Sequence, residues 1–226
     1  MTDRGDELTL AIDASTYVGT VAVVRGTRLL AAGDAAMRGR DEERLMPAVV
    51  ATLERAGVEP RELTRIVCGA GPGSFTSLRI AGAIAKGMAV ALDRPLYAVS
   101  TSALILFADR VPTAGRYLVL IDAMRGDVYA TRVDVDGDGM VIVSDTTVMP
   151  AAGAIALALD EGRALAGPAA PDAADSAPHA RALAHAAVQA LLGAPVDLDV
   201  WEPAYGRLAE AQVKWEAAHG RPLAAQ

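Results

Sequence analysis

Aromatic residues are scarce, with two Trp, five Tyr and two Phe in a chain of 226 residues, while hydrophobic residues make up 52%. The core must therefore be built from Ala, Val, Leu and Ile, which requires close backbone approach. Alanine alone is roughly a fifth of the chain, so small residues in a helix carry little information here. Cysteine is reduced to Cys68 within Ile66-Val67-Cys68. This excludes a disulfide framework and, with no neighbour to lower its pKa, reads as a buried inert thiol. The three histidines, His179, His185 and His219, lack the four-residue spacing by which a helix offers two imidazoles to one metal, so no metal site is expected. No Ser-His-Asp or Cys-His arrangement can be assembled from them. No segment reaches the ~18 uninterrupted apolar residues of a membrane span, and Met1 to Leu8 is charged and polar. A cytoplasmic protein with no membrane partner is expected. Net charge is -7 with Lys and Arg scattered, which argues against gripping a nucleic acid alone.

The chain opens with a strand meander: Leu8 to Asp13, Val18 to Val24 and Leu29 to Ala32 are short strand-like runs joined by Ser-Thr-Tyr and Arg-Gly-Thr-Arg turns. From Asp41 to Ala56, Leu45, Met46, Val49, Val50 and Leu53 recur at helical spacing, with Pro47 tolerable near the start and Gly57 as a stop. Thr64 to Cys68 then reads as a buried strand, Gly69 to Gly73 as a glycine-rich loop and Thr76 to Leu92 as a long helix. A strand ending near Val99 and a helix capped by Ser100 or Thr101 and running to about Asp109 complete this half. A second meander follows at Tyr117 to Asp122, Val128 to Val135 and Met140 to Ser144. Residues 151–194 are Ala-rich and helical, with one strand candidate at Arg163 to Ala166, too little to rebuild a full first half. The expected division is 1–109 and 110–226, the second part reduced.

Asp13-Ala14-Ser15-Thr16 lies where the first strand turns, a geometry that can aim a carboxylate and two hydroxyls at a metal-phosphate group. The same residues equally suit a hairpin turn satisfying its own backbone. Gly69-Ala70-Gly71-Pro72-Gly73-Ser74-Phe75-Thr76 puts glycines before a helix N-terminus, where amides and the helix dipole could hold an anion. It has no Lys and so is not a Walker loop, and no acid follows for a dinucleotide ribose. Close packing of the loop explains it as well. Arg79, in the first helical turn, opposes the dipole unless something pairs with it. Lys86 falls on nearly the same face, and with Ala83 and Gly87 it outlines a shallow surface suited to another helix.

At Gly71-Pro72-Gly73-Ser74-Phe75-Thr76-Ser77-Leu78-Arg79-Ile80 the chain resembles the TsaB (YeaZ) family, the shorter paralogue of the TsaD proteins that install threonylcarbamoyladenosine in tRNA. Further matching blocks come in the family's order: Ala11 to Ser15, Ala85 to Ala89, Val99 to Thr101, Ile121 to Tyr129 and Glu202 to Arg207. Ser77 and Ala81 stand where the family usually has glycine, and Asp41 where histidine is common; all three are expected to add bulk or charge near a partner face.

The resemblance implies an α/β, actin-like fold of the sugar-kinase and heat-shock-chaperone ATPase type, with two lobes and a reduced second one. It implies no catalytic residue, no metal and no cofactor of the chain's own, Asp13, Ser15 and Thr16 being a degenerate nucleotide site. The implied role is to bind a TsaD-like catalytic subunit and support threonylcarbamoyl transfer to the adenosine next to the anticodon. Binding would use Leu45, Met46, Val49, Val50 and Leu53 of the first helix with Ser74, Phe75, Thr76, Arg79, Ala83, Lys86 and Gly87 of the second. A TsaE-like ATPase would join the complex, which would use ATP and through which alone tRNA would be reached; the same face would allow homodimers when the partner is missing. Two alternatives stand beside this: an active small-molecule kinase or ATPase using Asp13 and Ser15, which needs two complete lobes, and a peptidase, for which the chain lacks both a metal pair and a nucleophile with a base.

Overall fold

The computed structural model describes residues 7–37, 43–171, 173 and 176–205. It contains two sheets. The first has the order β3-β2-β1-β4-β5, from β1 (Leu8–Asp13), β2 (Val18–Arg25), β3 (Arg28–Ala36), β4 (Arg65–Gly69) and β5 (Leu96–Val99). β1, β2 and β3 run antiparallel as a meander, while β4 and β5 are parallel to β1. The meander is wider than its apolar pattern predicts, because β3 extends past Ala32 to Ala36 through the polar Gly33-Asp34, which continue the ladder at a sheet edge. β1 and β4 are buried along their whole length, as strands covered on both faces must be.

Helix α1 (Leu45–Ala56) begins its regular turns directly after Arg44, as Pro47 in its first turn requires, with Glu43 accepting from the amides of Leu45 and Met46. It ends at Gly57, whose φ of +64° suits a residue without Cβ. The expected start at Asp41 lies outside the described residues. α2 (Phe75–Leu92) and α3 (Thr101–Leu106) follow, Ser100 Oγ accepting from Ser102 N at 3.2 Å as cap of the latter. By length and mean hydropathy (1.3) α2 could cross a membrane, yet it carries Arg79 and Lys86, and Ser77, Leu78, Ala81, Gly82, Ala85 and Ala89 are buried, as in a core helix of a lobe.

The second sheet, β8-β7-β6-β9, repeats the meander with β6 (Gly115–Asp122), β7 (Asp127–Val135) and β8 (Val141–Pro150), then α4 (Ala151–Glu161) and a parallel β9 (Ala164–Ala166). It has one parallel strand where the first has two. β8 runs ten residues rather than five, since an exposed edge strand needs no apolar alternation. On the outer side of this sheet Glu161 bridges Arg132 and Arg163, and hydrogen bonds from both guanidiniums draw its carboxyl down to about 2.

The inner faces of the two sheets share one core: Val67, Val99, Leu104 and Phe107 meet Val119, Ile121, Tyr129 and Val133. Residues 179–205 belong by sequence to the second part, but they dock chiefly on the first sheet and on α3. A 3-10 turn (Ala180–Ala184) and α5 (Ala186–Gln189) pack their Ala180, Leu183 and Val188 into the shared core, and Ala180 N donates to Thr20 Oγ1 at 3.0 Å. Val196 N then donates to Leu96 O at 2.8 Å, which carries the chain along the β5 edge toward α2.

Candidate functional site

The site built by β1, the glycine loop and α3 is closed by its own chain. Asp13 is fully buried at the end of β1. Its Oδ1 accepts from Ser15 N at 3.0 Å and Ser15 Oγ at 2.7 Å, and its Oδ2 accepts from Thr101 Oγ1 at 2.8 Å. Burial pushes the carboxyl upward from its ordinary 3.8, against the pull of these three hydrogen bonds. Ser15 is buried with it, whereas the Thr16 hydroxyl turns to its own neighbourhood and donates to Val18 O at 3.3 Å. Cys68, also fully buried, is held a thiol by burial and by the nearby Asp13 charge.

The glycine loop is packed shut. A Cβ at Gly69 would overlap the Asp13 carboxylate, and one at Gly73 would overlap the Ser15 carbonyl. Ser74 N, at the start of α2, donates to Ser15 O at 2.7 Å. Ala70 N donates to Val99 O at 2.7 Å, Thr101 N to Gly71 O at 3.1 Å and Ala204 N to Ala70 O at 2.7 Å. Two of these bonds occupy the amides of Ala70 and Ser74, donors that a phosphate cradle would leave open; the other two tie down the Ala70 and Gly71 carbonyls. The two lobes also touch at the mouth, where Tyr17 Oη lies 3.5 Å from Met124 Sδ.

The final contact in that loop introduces a feature the sequence pattern did not reveal. Residues 201–205 form a strap along one flank of α2. Tyr205 meets Phe75 with ring centroids 4.6 Å apart, Pro203 lies where Gly82 has no side chain, and Trp201 sits 6.0 Å from Lys86 Nζ. Tyr129 Oη donates to Tyr205 O at 3.1 Å, so the strap also reaches the second lobe. The only advance signal was the block Glu202-Pro203-Ala204-Tyr205 itself, which has no periodicity to interpret.

The expected partner residues divide by orientation. Leu45, Val49 and Leu53 point inward and are core residues of the first lobe, while Met46 is 38% and Val50 45% exposed. On α2, Thr76, Arg79, Ala83 and Gly87 lie on the exposed side with Val90 (67%), and Phe75 and Lys86 flank the strap. Ser74 Oγ lies 3.1 Å from Ser77 Oγ at the helix start. Ser77 and Ala81 are buried on the sheet side, which corrects the expectation that they add bulk to the partner face. Asp41 lies outside the described residues. His179 caps the 3-10 turn, its Nδ1 accepting from Arg181 N at 3.0 Å, and His185 packs on Phe107; His219 is outside the described residues.

Two meanders, the first continued by two parallel strands and the second by one, with helices between, make this a two-sheet α/β protein. The family model described as TsaD: tRNA N6-adenosine threonylcarbamoyltransferase matches residues 39–195. The Bacillus subtilis tRNA threonylcarbamoyladenosine biosynthesis protein TsaB is 38% identical over 120 residues, 53% of this chain and 52% of that protein, so the match spans about half of the relative's length. An uncharacterized protein of Mycobacterium tuberculosis is 38% identical over 165 residues, 72% of each chain. The solved structure of YeaZ from Pseudomonas aeruginosa superposes with a TM-score of 0.68 at 27% identity, over 88% of this chain and 99% of that one. The chain belongs to the TsaB/YeaZ family.

Proposed function

We propose that this protein is the non-catalytic partner subunit of threonylcarbamoyladenosine synthesis. It binds a TsaD-like catalytic subunit through the exposed sides of α1 and α2 and supports transfer to the adenosine next to the anticodon. The observation that carries this reading is a pairing: the site that would handle a nucleotide is filled by Asp13, Ser15, Thr101 and the strap, while Met46, Val50 and Val90 stay exposed on two adjacent helices. Large apolar side chains left exposed on neighbouring helices are surface that a partner commonly covers. The interface residues in this reading are Met46 and Val50 of α1 with Ser74, Thr76, Arg79, Ala83, Lys86 and Gly87 of α2; Leu45, Val49 and Leu53 support them from the core, and Phe75 braces the strap. A TsaE-like ATPase joins through the complex, which also supplies the contacts to tRNA that a chain of net charge -7 does not make alone. The protein acts in the cytoplasm, without a cofactor of its own.

The test is calorimetric titration of the purified chain with the TsaD-like protein of its organism. A saturable complex of defined stoichiometry is expected; no heat of binding, together with ATP turnover by the chain alone, would return the kinase reading.

A further inference from the structure

Two cations on α2 are each placed beside an aromatic ring. The Arg79 guanidinium lies 5.4 Å from the Phe75 ring centroid, and that ring is braced by Tyr205; Lys86 Nζ lies 6.0 Å from the Trp201 ring. Stacking of this kind holds a long side chain in place and lowers the entropy lost when it meets an anion. Seven residues bring the two charges back to nearly the same face, about 10.5 Å apart along the axis. Among the described residues neither has a carboxylate partner. Both border the exposed lane of Thr76, Ala83, Gly87 and Val90.

We propose that Arg79 and Lys86, held by the Phe75–Tyr205 pair and by Trp201, select the occupant of this lane: a helix of the TsaD-like partner bearing two carboxylates two turns apart, in preference to a second copy of this chain. The inference rests on the partner reading above and adds the chemistry that chooses the partner. On its two helices a second copy offers these cations little, leaving only Glu202 of the strap close to the lane. α2 contains no acidic residue and α1 only Glu54. An antiparallel two-fold pair that centres its contact on Ala83 sets Arg79 of each copy beside Lys86 of the other, so like charges oppose self-pairing. On a chain of net charge -7 these two cations are stacked on rings at the border of the exposed lane, so they favour a complementary acidic helix there.

The arrangement predicts opposite behaviour for single and double charge reversal. Lys86→Glu leaves Arg79 beside a carboxylate in the two-fold pair, and sedimentation should show the monomer–dimer midpoint moving roughly tenfold lower in concentration. Arg79→Glu with Lys86→Glu restores like charges, and self-association should return to the wild-type level. Binding of the TsaD-like protein should weaken by about tenfold in the single variant and more in the double, with the loss shrinking as salt is raised. Because both side chains project from the outer part of the helix, thermal midpoints should stay near wild type, which separates the effect from misfolding. The proposal is overturned if Lys86→Glu leaves self-association unchanged, or if the double variant binds the partner as wild type does. The self-association arm needs no partner, so it decides the role of the cations even where the wild-type chain fails to bind the TsaD-like protein and the partner reading falls.

Discussion

Replacing Gly69 with Ala is expected to remove a large part of the protein's stability. The added methyl would overlap the Asp13 carboxylate, which cannot retreat, because Ser15 and Thr101 hold it and the surroundings are fully buried. A clash between a backbone-fixed methyl and a fixed buried carboxylate belongs among substitutions costing more than about 4 kcal/mol, against a total stability of roughly 5–15 kcal/mol. Chemical denaturation checks this. Asp13 itself supplies the informative companion. Asp13→Ala strips the acceptor from three buried donors and should cost about 3 kcal/mol. Asp13→Asn keeps the shape and the Oδ1 acceptor, and Thr101 can turn its hydroxyl to accept instead of donate, so it should cost clearly less. The pH dependence has a definite sign. The folded-state pKa of Asp13 is raised above the unfolded value near 3.8, so its contribution to stability is fully present below that value and is lost as pH rises through the folded pKa. Asp13→Asn should remove that dependence.

The second large effect concerns the exposed helices. Met46→Asp with Val50→Asp is expected to weaken the complex with the TsaD-like protein by more than about a hundredfold, since two apolar contacts are lost and two charges must be desolvated at the interface centre. The melting temperature should change little, because both side chains are substantially exposed in the free chain. Val49→Asp makes the control. The sequence pattern alone marks Val49 as an equally good interface residue, but it is fully buried on the core-facing side of α1, and a charge there should unfold the lobe before any partner is met.

That contrast shows where sequence reasoning stops. Helical spacing identified the stripe Leu45, Met46, Val49, Val50 and Leu53, yet five apolar positions span more of a helix than one sheet covers, and periodicity alone does not say which edge is left over. The sheet decides it, keeping Leu45, Val49 and Leu53. The strand–loop–helix order around Gly69 to Leu92 was readable because an apolar run, a glycine cluster and a helical period follow each other without overlap. Whether that loop was an anion cradle or a packing device was not readable. The answer depends on Ser15, Val99, Thr101 and Ala204, which approach it from up to 134 residues away in the sequence (204 minus 70). Residues 179–205 were obscure for a related reason. Their stabilisation comes from docking on the first sheet through Ala180, Leu183, Val188 and Trp201, and an Ala-rich segment with two short helical turns carries no local pattern that says which lobe it will cover.

The same docking explains why the strap matters to the account. It joins the closed site to the open face: Ala204 caps the glycine loop, Pro203 uses the bare side of Gly82, and Tyr205 steadies Phe75 beside Arg79.

The most direct measurement is reconstitution of threonylcarbamoyladenosine formation on tRNA from purified components, with and without this chain. The account predicts that the full set modifies tRNA, that omitting this chain abolishes the product, and that this chain without the TsaD-like protein yields none. Modification by this chain with the TsaD-like protein left out, or an unchanged yield when this chain is omitted, would contradict it.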